Sequence, residues 1–141
     1  MTAGIPDGWR EEERADLREG GWRFYRAVDP TFSESVSEQN VVVRDGQRVS
    51  GAAGIHALLA DLGAFAAPPQ DAARVAEQVG HFVIEPTSRS SGRVRLHGGE
   101  PPTLRSEGDA VVLHASFDRD GAPWPVTVTA RGDGDVTVEQ G

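Results

Sequence analysis

A stripe of large apolar residues near the middle of the chain is the strongest periodic signal in the sequence. Ile55, Leu58, Leu59, Leu62 and Phe65 fall at offsets 0, 3, 4, 7 and 10. This spacing is typical of one face of a helix with 3.6 residues per turn. It predicts a central helix over 50–65 that lies at the centre of the hydrophobic core.

Helical spacing also occurs before and after this stripe. Leu17, Phe24, Tyr25 and Val28 would share a face of a helix that begins near Trp9. The segment 29–34 contains a proline followed by a Thr-x-x-Glu capping box, which predicts a second, short helix to about residue 39. A further apolar stripe predicts a helix over 72–79.

Strand signals dominate the rest of the chain. Asp45-Gly46 between β-forming residues predicts a tight hairpin. Alternating apolar residues predict strands over 81–85, 93–97, 110–117, 126–130 and 136–138, and short connections make them antiparallel. The predicted fold is α+β, with N-terminal and central helices packed on a C-terminal antiparallel β-meander and a small hairpin near residues 41–49. We expect a single domain over 1–141 in which 1–8 form a loose N-terminal arm.

Composition narrows the class of protein. The 141 residues include no cysteine, which excludes disulfides, thiolate metal sites and cysteine nucleophiles. The net charge of −8 argues against nucleic-acid binding, which needs an excess of cations. Neither a secretory signal nor a membrane span is visible, so we expect a soluble, cytoplasmic protein that does not bind membranes.

A basic segment is the clearest candidate for a binding site. Arg93, Arg95 and His97 alternate with apolar residues and would share one face of a strand, and Arg89 precedes them among serines. Guanidinium groups bind carboxylate or phosphate in a forked geometry, so an anionic small molecule or an acidic partner could dock here. The alternative is a solvated face balanced by nearby acidic residues.

Histidines and one tryptophan are the other candidates. His81, His97 and His114 fall in predicted strands, but they lack the short spacing of a metal site, and we predict neither a metal nor a cofactor. His56 flanks the core stripe. Trp124, held between two prolines, could be a recognition platform, although we favour a role in closing the end of the sheet.

These observations favour a small non-catalytic binding or accessory protein. Its ligand or partner would be anionic and would meet the sheet face that carries the arginines, or an edge strand by β-augmentation. The sequence allows a homodimer. Whether the protein is an enzyme is left open.

The order of predicted elements also resembles the SnoaL-like family. The features that carry the resemblance are N-terminal helices, a β-element near Val41–Val43, a glycine-led helix from Gly51 to Ile55 and a curved antiparallel sheet. The resemblance implies a cone-shaped cavity and cofactor-free isomerase or cyclase chemistry with a His or Asp base. It directs attention to His56, His81, His114 and Tyr25. The helix over 72–79 and the hairpin depart from the family pattern, and no position matches a family motif, so no catalytic residue carries over.

Overall fold

The structure is a computed structural model that describes residues 8–28, 38–84, 94–119 and 121–140. A short 3-10 helix at Ala15–Leu17 follows the first strand. In chain order the strands and helices are β1 (Arg10–Glu13), β2 (Trp22–Val28), β3 (Glu38–Arg44), β4 (Gln47–Val49), α1 (Gly51–Asp61), α2 (Ala72–Val83), β5 (Thr103–Glu107), β6 (Ala110–Arg119), β7 (Ala122–Arg131) and β8 (Val136–Gln140).

The strands form two antiparallel sheets that follow chain order. The N-terminal sheet is β1-β2-β3-β4 and the C-terminal sheet is β5-β6-β7-β8. The β3–β4 turn places Asp45 at φ 50° and Gly46 at φ 83°. Positive φ at both central residues is the type I′ geometry that Asp-Gly favours. The α+β class, the hairpin near 41–49 and the C-terminal meander are confirmed.

One hydrophobic core joins both sheets to the helices. Phe24 and Val42 contribute from the N-terminal sheet, Leu58 and Leu59 from α1, and Phe117 from the C-terminal sheet. Helix α2 contacts β3 on one side and β6 on the other, while α1 contacts β7 and β8. The central stripe therefore faces the core as predicted, with Leu58 and Leu59 completely buried.

Close approach at Gly80 brings α2 against the C-terminal sheet. A Cβ atom at this position would lie 2.6 Å from Cγ1 of Val94 and 2.8 Å from Cε1 of Phe117. Both distances are too short for non-bonded carbon atoms, whose optimal separation is about 3.5–4.0 Å. Glycine is therefore required here by packing.

Polar residues of α2 hold the segment between β1 and β2. The guanidinium of Arg74 donates hydrogen bonds to the carbonyl oxygens of Asp16 and Arg18. The amide of the buried Gln78 donates to the carbonyl of Leu17 at 2.8 Å. These bonds satisfy backbone groups that no sheet or helix partner reaches. They also seat Leu17 in the core.

The predicted helix from Trp9 is wrong, because β1 and β2 occupy this region. Trp22 and Phe24 face the helices, while Tyr25 and Ala27 lie in a second buried cluster on the opposite face of the sheet. When a strand has large apolar residues on both faces, their spacing along the chain can match the spacing expected for one face of a helix. The predicted helix over 31–39 falls mostly outside the described residues, and 38–39 belong to β3.

One strand prediction before the meander is also wrong, and another lies partly outside the described residues. The predicted strand over 81–85 is helical through Val83, because α2 continues past Gly80. Only residues 94–97 of the next predicted strand are described, and they make one isolated bridge, from Leu96 to Phe117. The first strand of the meander is β5, which the sequence pattern did not predict.

Candidate functional site

The inner face of the C-terminal sheet extends beyond the helices that cover it. Val111, Leu113, Ala115 and Phe117 of β6 face the core, and the next inward position of that strand is Arg119. On β7, Trp124 is the inward position after Val126, and it pairs with Phe117. On β8, the inward row that begins with Val136 continues to Gln140.

The uncovered end of this face forms a groove of about 500 Å³, which we call the Trp124 groove. The sheet contributes Arg119, Trp124, Val138 and Gln140, and the helices contribute the other side chains, among them the aromatic Phe82. Its lining residues are Gly51, Ala52, Ile55, Phe82, Val83, Arg119, Trp124, Val138 and Gln140. The volume lies within the range of small-molecule sites, roughly 300–1,000 Å³.

Arg119 gives the groove its charge. Its guanidinium carbon lies 4.7 Å from the centroid of the Trp124 ring, which is a cation–π geometry. Among the described residues that line the groove, it is the single charged side chain, and none is acidic. The groove is therefore locally positive in a protein whose net charge is −8.

The helices shape the opposite wall. A Cβ atom at Gly54 would lie 2.5 Å from Cε1 of Phe82, so the glycine lets the Phe82 ring pack against α1. Helix α1 begins at Gly51 beside the groove, and the Ser50 side chain makes no capping hydrogen bond. The first turn of α1 carries no acidic residue that would neutralise the partial positive charge at the start of the helix. This partial charge therefore adds to the charge of Arg119.

The edge of β7 explains why the indole is accessible. Strand β8 pairs with β7 only as far as Gln140, which lies opposite Val126. Among the described residues, β7 therefore pairs with β6 alone at Pro123 and Pro125, and a residue without an N–H is tolerated at such an edge. This local edge leaves Trp124 half-buried at the groove. The closure of the sheet end and the recognition platform both stay predictions for Trp124.

The predicted basic site lies elsewhere. Arg89 and Arg93 fall outside the described residues. Arg95 and His97 flank Leu96 on an outer face, and Arg95 is exposed and 3.4 Å from Asp118. His97 accepts a hydrogen bond from the Gly99 backbone at Nδ1, at 3.3 Å. Arg95 and His97 therefore share one face of the segment, as the alternating sequence pattern predicts. That these side chains bind an anion stays a prediction.

A second, polar cleft lies between α2 and the N-terminal sheet. It has a volume of about 270 Å³ and is lined by Glu12, Arg14, Arg26, Asn40, His81 and Val94. His81 Nδ1 is 2.8 Å from the carbonyl oxygen of Glu77. Burial, with a smaller contribution from the nearby Arg14, lowers the pKa of His81 to about 4, so the ring is neutral at pH 7.

The cations of this polar cleft already have carboxylate partners. Arg14 Nη2 lies 2.8 Å from Asp16 and 2.9 Å from Glu77, and Arg26 lies 2.9 Å from Glu12. Hydrogen bonding to Asp16 raises the pKa of Arg14, and the same bond lowers the pKa of Asp16. An incoming anion would have to compete with these carboxylates for the two arginines.

The other histidines have structural contacts. His56 Nε2 lies 2.9 Å from the carbonyl oxygen of Arg131, and its ring packs 4.9 Å from that of Phe65. His114 Nδ1 lies 3.0 Å from Oγ1 of Thr127. Across the described ranges, no three His, Asp or Glu side chains converge to hold a metal ion.

Sequence reasoning missed Arg119 as a site residue. The alternation that placed Val111 through Phe117 on one side, continued by two positions, puts Arg119 on that side. The two flanking prolines single out Trp124, but its closeness to Arg119 depends on the β6–β7 register, which pairs Trp124 with Phe117.

Comparison of the chain with protein-family models, curated proteins and solved structures finds no match. In the part of the chain that the structure describes, neither helix is long and apolar enough to cross a bilayer.

Proposed function

We propose that the protein is a small non-catalytic binding protein and that the Trp124 groove takes an amphipathic anion. The ligand would have an apolar body and one negatively charged group, as in an aliphatic or aromatic carboxylate. The observation that carries this proposal is the pairing of one cation, Arg119, with otherwise uncharged walls.

The walls account for the apolar part of the ligand. Ile55, Phe82 and Val138 supply aliphatic and aromatic surface, and Trp124 supplies a ring face. Removing apolar ligand surface from water contributes about 25 cal/mol per Å². None of the described lining residues is a Ser, Thr, His, Asp or Glu, so the groove offers no side-chain base or nucleophile, which favours binding over catalysis.

Arg119 accounts for the charge. Within the described part of the chain, no carboxylate forms an ion pair with it. Stacking on Trp124 orients the guanidinium while leaving its N–H edge free to donate. A carboxylate would then accept a charge-assisted hydrogen bond, which is stronger than a neutral one.

Two naphthalene probes that differ in charge test the proposal. We expect the anionic 1-anilinonaphthalene-8-sulfonate to bind the wild-type protein, and Arg119→Gln to weaken its binding about tenfold, since charged hydrogen bonds contribute about 1.5 kcal/mol or more. The uncharged N-phenyl-1-naphthylamine should bind Arg119→Gln as well as wild type. Trp124→Ala should weaken both probes.

Arg131→Gln is the matched control, because it removes one exposed arginine from the same sheet away from the groove. It should leave both affinities unchanged, and melting curves check that each variant is folded. Decanoate, an aliphatic carboxylate, should displace the anionic probe. Equal affinity of that probe for wild type and Arg119→Gln would contradict the proposal.

The alternative is a cofactor-free isomerase or cyclase, and the buried His81 beside the polar cleft is the observation that favours it. If Nδ1–H donates to the Glu77 carbonyl, Nε2 is left as the basic nitrogen. Two features weigh against it. Tyr25 lies in the cluster on the other face of the N-terminal sheet, and β1 and β2 replace the N-terminal helices of the SnoaL-like pattern.

A direct titration separates the two functions. Imidazole nitrogen shifts followed by NMR should show His81 neutral down to about pH 4, which is too acidic for an efficient base at neutral pH. A pKa between 6 and 7 in the presence of an anionic probe would favour the enzyme.

A further inference from the structure

The two sheets end in four edge strands, and these edges differ in how they are protected against pairing. Every side chain of β1 is charged, β4 has three residues including Arg48, and β5 carries Arg105 and Glu107. Short length and charged side chains are the usual means of keeping an edge from pairing with another chain. These three edges are therefore protected.

Strand β8 lacks this protection. Its five residues, Val-Thr-Val-Glu-Gln, include one charge, Glu139. Among the described residues, the large hydrophobic side chain that is exposed to solvent is Val138, at 37%. In the sheet order β8 has β7 on one side and no strand of the described chain on the other.

The sequence of β8 is complementary to itself. Antiparallel pairing of two copies centred on Val138 would place the two Val138 side chains opposite each other, with Cβ atoms about 5 Å apart. Glu139 would then face Thr137 of the other copy, and Val136 would face Gln140. No like charges oppose each other in this register.

The neighbouring surface of α1 is compatible with a second copy. Ala53, His56 and Ala60 lie at offsets 0, 3 and 7, so they form one ridge of the helix. The contact of His56 with the Arg131 carbonyl places this ridge beside the β7–β8 turn. Ala53 and Ala60 are exposed, and the ridge carries no carboxylate or arginine to repel its copy.

We propose that β8 pairs with β8 of a second copy of this chain. The two C-terminal sheets would join into one continuous antiparallel sheet across a two-fold axis, and Val138 would be buried at the centre of the interface. Val138 and Gln140 also line the Trp124 groove, so the test of this inference includes a variant that leaves the groove lining unchanged.

Sedimentation velocity and light scattering over about 10 μM to 1 mM test the proposal. We expect the wild type to dimerise in this range. Val138→Lys should weaken dimerisation at least tenfold, because it would bring two ammonium groups together. Ala53→Glu should also weaken it, and it leaves the residues that line the groove unchanged.

Ser106→Lys is the matched control, since it adds the same charge to the edge strand at the other side of the same sheet. It should dimerise as the wild type does. Hydrogen exchange of β8 amides should slow as the protein concentration rises. A wild type that stays monomeric at 1 mM, or a dimer that persists in both Val138→Lys and Ala53→Glu, would overturn the proposal.

Discussion

The indole nitrogen of Trp22 donates a hydrogen bond of 2.8 Å to Oδ2 of Asp61, and this bond ties the end of α1 to the N-terminal sheet. Arg44, on the neighbouring strand, lies 3.0 Å from the same carboxylate and 5.5 Å from the Trp22 ring centroid. Trp22 is buried, so its N–H needs this partner. One carboxylate therefore connects three elements.

Replacement of Asp61 should separate the hydrogen bond from the ion pair. Asp61→Leu leaves the Trp22 N–H without an acceptor and should lower the free energy of unfolding by about 1–2 kcal/mol. Asp61→Asn keeps an acceptor but removes the charge, and an exposed ion pair contributes at most about 1 kcal/mol. Urea unfolding followed by tryptophan fluorescence measures both variants. Equal losses would show that the indole hydrogen bond contributes little.

His81 should make the protein less stable as the pH falls from 6.5 to 4. Its pKa is about 4 in the folded state against 6.5 as the ordinary value, so the unfolded chain binds more protons in this window. The free energy of unfolding therefore rises with pH, by up to about 3 kcal/mol between pH 4 and 6.5, and levels off above 6.5.

The charged groups around His81 define the control for this pH dependence. Arg14 opposes protonation of the ring, while Asp16 favours it weakly. The lowered pKa of Asp16 also reduces stability as the pH falls below about 5, so its effect overlaps only the acidic end of the window. His81→Gln should remove most of the slope of the profile between pH 4 and 6.5. A profile with the same slope in His81→Gln would assign the effect to other groups.

A methyl group added at Gly80 should destabilise the fold. The new Cβ would overlap Val94 and Phe117, and overpacking of this kind costs about 1–3 kcal/mol. Gly98→Ala is the matched control, because nothing lies within 4 Å of a Cβ there and its φ is not positive. Thermal unfolding should show a lower melting temperature for Gly80→Ala than for the wild type, and an unchanged melting temperature for Gly98→Ala. Similar melting temperatures would mean that the sheet moves to accommodate the methyl group.

A methyl group at Gly54 should act on the groove. It would meet Cε1 of Phe82 at 2.5 Å, so the half-buried ring should turn toward the Trp124 groove. Titration with the uncharged naphthylamine should show weaker binding in Gly54→Ala, since the ring would occupy ligand space. If the affinity for the naphthylamine is unchanged and the melting temperature falls, the Phe82 ring has not turned into the groove and the added methyl group strains the core instead.

Local signals were the ones that could be predicted from the sequence. The Asp45-Gly46 turn depends on two residues, and α1 on a stripe whose members are near neighbours, so both were found. The region of β2 was predicted as helix because Trp22, Phe24, Tyr25 and Ala27 are buried on two faces. The elements that bury each face of β2 are distant in sequence, and the spacing of residues within β2 does not reveal them.

The Trp124 groove could be predicted only in part for the same reason. Alternation places Arg119 and Trp124 on the inner face, but their approach to 4.7 Å depends on the register between β6 and β7. The helices that form the opposite wall come from residues 51–83. Nothing in the spacing of these segments indicates that the helices leave the end of the sheet uncovered.

The end of the C-terminal sheet that lies past its helices separates two sets of residues. Phe117, Val126 and Val128 are buried in the core, whereas Arg119, Trp124 and Gln140 line the groove near the ends of β6, β7 and β8 and are partly or fully exposed. Substitutions at the second set should therefore be accepted without loss of folding. A descendant of this protein could acquire a new ligand preference by changing three side chains, while the scaffold beneath them remained the same.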